Sequence, residues 1–66
     1  MPFPDLSCVH LRRALPEHGL AAGALGTVVG VWRPADPDTD YEIEFLTPDG
    51  RTTAVLTLSA EDLRPG

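Results

Sequence analysis

Tyr41-Glu42-Ile43-Glu44-Phe45 is the stretch from which the fold can be read. Apolar and acidic residues alternate strictly across it. A period of two places Tyr41, Ile43 and Phe45 on one face and Glu42 and Glu44 on the other, the pattern of a half-buried β-strand. Two residues later Thr47-Pro48-Asp49-Gly50 forms a turn. Proline presets φ and glycine supplies a positive one. The chain then resumes alternation over 51–58, with Ala54, Leu56 and Leu58 inward. Two strands and a tight turn therefore make a hairpin.

Working outward, Thr27-Val28-Val29-Gly30-Val31-Trp32 is β-branched and aromatic and predicts the preceding strand. Gly30 within it suggests a bulge or a sharp bend. Residues 33–40, Arg-Pro-Ala-Asp-Pro-Asp-Thr-Asp, form an exposed loop. Upstream, 8–13 alternates, with Val9 and Leu11 on one face, and predicts the first strand. Leu15-Pro16-Glu17-His18-Gly19-Leu20 breaks it, and Gly23-Ala24-Leu25-Gly26 makes a second break. Residues 1–7 read as a loose lead-in. Downstream, Ser59-Ala60-Glu61-Asp62 reads as an N-capped single helical turn, and Leu63-Arg64-Pro65 as a last short strand.

The expectation is a mostly β fold, one domain over 1–66. Sixty-six residues bury a thin core, of the order of 60% of the unfolded surface. A flat sheet of this size leaves bare edges, and closing it into a barrel covers them. The reading is a small five-stranded SH3-like barrel with one short helical turn before the last strand. It shows no internal repeat.

Ten acidic residues stand against five basic ones, all arginine, giving a net charge of −5. Only Arg12 and Arg13 adjoin, which argues against nucleic acid as a partner and for a basic protein instead. The lone Cys8 forms no internal disulfide and suits a reducing, cytoplasmic setting. The N-terminus lacks the features of a signal peptide, and no apolar run approaches the ~20 residues that span a membrane. No cofactor is expected, and an open edge strand offers a route to a homodimer.

Several residues invite chemistry. Cys8 and His10, two apart on a strand, share its outer face. With His18 they give three metal ligands at most, where a structural zinc wants four. The favoured reading packs Cys8 as a small apolar residue and leaves His10 a surface polar one. Glu17 and His18 sit in the Pro-Glu-His-Gly turn. A loop histidine beside a carboxylate can meet a ligand, but the favoured reading has His18 bonding a carbonyl and Glu17 capping an amide. Asp36-Pro37-Asp38-Thr39-Asp40 opens like a calcium loop and then departs from it, with Tyr41 at the glycine position and Thr47 at the closing glutamate position. Ser7 and Ser59 sit in no nucleophile motif. Trp32, beside Arg33 at the end of one strand, and Tyr41, at the start of the next, would lie near one another if the strands pair. A rim tryptophan is a binding hot spot or a cap on a thin core, and the cap is slightly favoured. Glu17, His18, Trp32, Arg33 and Tyr41 are the candidate partner surface. No catalytic or metal residue is assigned, and no enzyme is expected.

Three elements in order carry a family resemblance: Leu15-Pro16-Glu17-His18-Gly19-Leu20, then Gly23-x-x-Gly26-Thr27-Val28-Val29, then Tyr41 to Phe45, with Leu56-Thr57-Leu58 and Leu63-Arg64-Pro65 at the end. Together, from Cys8 to Pro65, they resemble a family of very short bacterial proteins described only as a domain of unknown function. The loop at 33–40 is longer than that family's usual hairpin. The resemblance implies an SH3-like barrel and carries no activity. The resemblance implies a gene set beside other small open reading frames, some of them toxin-like, and with that an antitoxin, immunity or accessory role. The Gly-x-x-Gly-Thr-Val-Val run also resembles RNA-binding barrels of the KOW type, but the loop at 17–24 has neither Arg nor Lys. The leading expectation is a non-catalytic module that binds a basic protein. The alternatives are an RNA- or ribosome-associated barrel and a metal- or ligand-binding accessory subunit.

Overall fold

A computed structural model describes residues 3–34, 36–47 and 49–66. Five strands run in chain order: β1 (Cys8–Leu11), β2 (Leu25–Trp32), β3 (Asp40–Leu46), β4 (Thr52–Ser59) and β5 (Leu63–Pro65). They form one antiparallel sheet in the order β4-β3-β2-β1-β5. The last strand thus returns to pair with the first, Leu11 opposite Leu63 and Val9 opposite Pro65. Residues from all of β1, β2, β3 and β5 share one buried cluster, an arrangement consistent with a small barrel.

Alternation decides which side chains enter that cluster. Tyr41, Ile43 and Phe45 are all fully buried, and Val9, Leu11, Val28 and Leu63 join them. Leu56 and Leu58 of β4 pack against them while staying half-buried. Gly26 stands opposite Phe45 with no room for a side chain: a Cβ there would stand 2.5 Å from Ile43 Cγ2 and 3.0 Å from Phe45 Cε1. Both neighbours are buried and cannot retreat into solvent. Gly26→Ala is therefore expected to cost about 1–3 kcal/mol through overpacking. Thermal melting reads this as a fall of roughly 4–8 °C per kcal/mol, and an unchanged Tm would mean the two strands separate more easily than this packing implies.

The connection from β4 to β5 turns on Ser59 and Asp62. They form a capping box around the single 3-10 turn Ala60–Asp62, the turn expected from the sequence. A second 3-10 turn, Pro16–His18, lies between β1 and β2, with Gly19 closing it at φ 69°. β1 stops at Leu11 rather than running on to residue 13. The two arginines that follow turn toward the end of the chain: Arg12 Nε donates to the Leu63 carbonyl at 2.8 Å, and Arg13 Nη2 donates to Asp62 Oδ1 at 2.7 Å.

The lead-in is not loose over its described part. Phe3 is 5% exposed and meets the Tyr41 ring edge-on, with centroids 5.3 Å apart at 83°. The Leu6 amide donates to the Val28 carbonyl, and the Val28 amide to the Ser7 carbonyl. A core this thin gains from one more ring, and the backbone pairing holds the segment in place. The turn expected at 47–50 closes through a bond from the Gly50 amide to the Thr47 carbonyl, with Gly50 at φ 89°. The part of that expectation resting on Pro48 lies outside the described residues, as does Ala35 of the loop.

Candidate functional site

One extra residue in β2 decides what faces outward. Val28 stands opposite Ile43, but Gly30 stands opposite Glu42, so Val29 has no partner. This is a β-bulge, placed where Gly30 suggested one. Beyond it the side-chain frame is inverted. Val31 pairs with Tyr41 and packs on the core, while Trp32 pairs with Asp40 and is 55% exposed. Trp32 and Tyr41 therefore lie on opposite faces, not side by side as adjacency of the strand ends suggested. Tyr41 is 1% exposed and belongs to the core. Trp32 caps nothing.

The register then lays out the outer face in rows. Thr27, Glu44 and Val55 share one row; Gly30, Glu42 and Thr57 the next; Trp32, Asp40 and Ser59 the last. Three carboxylates run down the central strand. Apolar side chains flank them: Leu25, Val29 and Trp32 on β2, Leu46 at the end of β3 and Val55 on β4, all exposed. Glu44 Oε2 accepts from the Thr52 hydroxyl at 2.9 Å. Sequence reasoning missed Leu25, Val29, Leu46 and Val55. The signal that finds Leu25, Leu46 and Val55 is the outward parity of Glu42 and Glu44 carried along β3 and across the register, whereas Val29 shows only as the bulged residue.

Arg33 follows β2 in the left-handed region, at φ 54°. Its guanidinium lies 3.8 Å from Asp40 Oδ2, an exposed pair worth little in water. Beside it the 33–40 loop is gathered by Thr39. The Thr39 hydroxyl lies 2.6 Å from the carbonyls of both Arg33 and Asp36, and accepts from the Asp36 amide at 3.2 Å. Asp36 Oδ1 accepts from the Asp38 amide at 2.8 Å. Its carboxylate is thus turned to the loop's own backbone, as in a local turn and not a calcium loop. Among the described residues no group of three His, Cys, Asp or Glu side chains is placed to hold a metal. An open depression of about 780 Å³ separates this loop from Ala60 and Glu61, with Arg33, Asp40 and Tyr41 in its wall.

Glu17 and His18 lie in the β1–β2 connection, exposed, and no side chain caps their turn. The local role expected of them, His18 on a carbonyl and Glu17 on an amide, gives way to backbone bonds: the His18 amide reaches the Leu15 carbonyl and the Gly19 amide the Pro16 carbonyl. Neither residue lines the depression. His10 Nδ1 sits 3.1 Å from the Gly23 carbonyl. Cys8, expected to pack as an apolar residue, is exposed instead, since alternation turns Val9 inward and Cys8 out.

The Asp62 carboxylate has a perturbed acidity with a structural cause. Burial pushes the Asp62 carboxyl up, but hydrogen bonds from Arg13 and Ser59 outweigh it and hold the group below the usual range. A carboxyl lowered by folding contributes stability above its unfolded pKa of about 3.9, and that contribution is lost as pH falls through the folded value. Asp62→Asn is expected to cost about 0.5–2 kcal/mol at pH 7 by weakening the cap. The gap between variant and wild type should narrow as pH drops below about 4. Urea titrations at pH 7 and pH 3 measure both; a gap that is constant with pH would remove Asp62 from the acid response.

The fold and this face define a small antiparallel β module with an outward apolar and acidic surface. The chain belongs to the family described as a domain of unknown function, DUF4926, which matches residues 6–65. No curated protein and no solved structure matches it.

Proposed function

We propose that this chain is a non-catalytic, SH3-like protein-binding module of the bacterial cytoplasm. Its partner is a basic protein encoded nearby, which it neutralises as an antitoxin or immunity protein or serves as an accessory. The observation that carries the reading is the outer face of β2, β3 and β4. Exposed Leu25, Trp32 and Val55 surround the carboxylates of Asp40, Glu42 and Glu44. Exposed apolar side chains gathered on one face mark an interaction surface. Tryptophan supplies the kind of anchor on which binding energy concentrates, and carboxylates steer a basic partner toward it. The RNA-binding alternative is weakened by Arg12 and Arg13, which are engaged with Leu63 and Asp62.

The test is co-expression of the tagged chain with the products of its flanking genes, followed by gel filtration and mass spectrometry. A stoichiometric basic partner is expected, its affinity falling as salt rises. Elution of the chain alone from every such co-expression would overturn the reading.

A further inference from the structure

β4 is an edge strand, and among the described residues no strand lies beyond it. Edge strands are normally protected by charge, proline or brevity, because their free N–H and C=O groups template pairing with another chain. β4 has little of this protection. It is eight residues long, and Thr52-Thr53-Ala54-Val55-Leu56-Thr57-Leu58 contains no charge and no proline. A register shift near Thr53 disturbs only its first residues. The core also opens here. Ile43 and Tyr41 are fully buried, yet their register partners Leu56 and Leu58 are only half-buried. On the outer side, Val55 and Thr57 stand beside Glu44 and Glu42.

We infer that β4 receives an extended segment of the partner as a sixth strand, and that this segment alternates apolar residues with lysine or arginine. The inference rests on the protein-binding reading above and names its chemistry. An added strand presents successive side chains to opposite faces. Those facing inward cover Leu56 and Leu58. Those facing outward lie two strand spacings from β3, about 10 Å, a gap that a long basic side chain and a glutamate close together. The basic side chain's stem crosses Val55, and its cation meets Glu44 or Glu42. The β4 strand of a second copy fits the bare edge but carries no cation to meet Glu42 and Glu44. Main-chain pairing with alternate side-chain pockets is a known mode of peptide recognition.

The test uses a short blocked peptide of alternating valine and lysine, titrated into the full chain. A peptide of the same composition with its lysines clustered is the control. Amide shifts and slowed exchange over Thr52–Ser59, with about tenfold weaker binding of the clustered peptide, are expected. Thr57→Lys places a cation beside Glu42 on an exposed site and should weaken the alternating peptide about tenfold without lowering Tm. Equal binding of both peptides, indifference to Thr57→Lys, or a dimer that closes β4 before peptide is added would each overturn the inference. A co-purified partner that survives Thr57→Lys but is lost with Trp32→Ala would sink the edge proposal and leave the binding-module reading standing. Absence of any co-purified partner would count against the module reading itself.

Discussion

Tyr41→Ala is expected to leave most of the chain unfolded at 25 °C. Truncating a buried aromatic costs about 3–5 kcal/mol. Losing its edge-on contact with Phe3 adds about 0.5–1.5 kcal/mol. A core of this size supplies only ~3–5 kcal/mol in all, so the loss equals or exceeds the reserve. Tyr41→Phe keeps the ring between Phe3 and Val31 and should keep the fold. Far-UV circular dichroism and urea titration followed by the single tryptophan separate the variants. A Tyr41→Ala protein that melts cooperatively near the wild-type temperature would mean the ring is dispensable to the core. The result matters for function as well, because any binding lost with Tyr41→Ala reports unfolding and not a missing contact.

Trp32→Ala should do the reverse. The side chain lies on the outer face, 55% exposed and outside the buried cluster, so stability should stay within about 0.5 kcal/mol of wild type. Affinity for the co-purified partner should fall by about 2 kcal/mol or more, close to 30-fold. Calorimetric titration with that partner measures the affinity, and a thermal melt measures the stability. Unchanged affinity would move the interface off the β2 side of the face. The paired outcomes, one variant unfolded and the other folded but weak, separate a core residue from a surface one at positions that oppose neighbouring partners in a single ladder.

The hairpin was legible because Tyr41 to Phe45 alternates without interruption and Gly50 supplies the positive φ its turn needs. The cap at Ser59 and Asp62 was legible for the same reason: the information is local. Phe3 was not. A single aromatic between two prolines has no period, and only a tertiary partner, Tyr41, shows its place. The candidate surface divided along the same line. Residue type singles out Trp32 and Arg33, but it groups Tyr41 with them because strand ends that meet in sequence look adjacent, and the register puts Tyr41 in the core. Glycine at position 30 signalled irregularity, yet composition cannot say whether a strand gains a residue or merely bends there. The flanking Leu25, Val29, Leu46 and Val55 needed the register, which couples residues far apart in the chain.

The unpartnered Val29 sets which of its neighbours face the core. Were it drawn into the ladder opposite Glu42, every later residue of β2 would slip by one place. Val31 would then turn outward and Trp32 inward, driving an indole into space shaped for a valine and stripping the outer face of its anchor. Removing residue 29 has no such effect: Gly30 then follows Val28 directly and still stands opposite Glu42, with Val31 and Trp32 keeping their places. The surplus residue is thus what turns the tryptophan outward, and a deletion at that point keeps both faces while flattening the bulge.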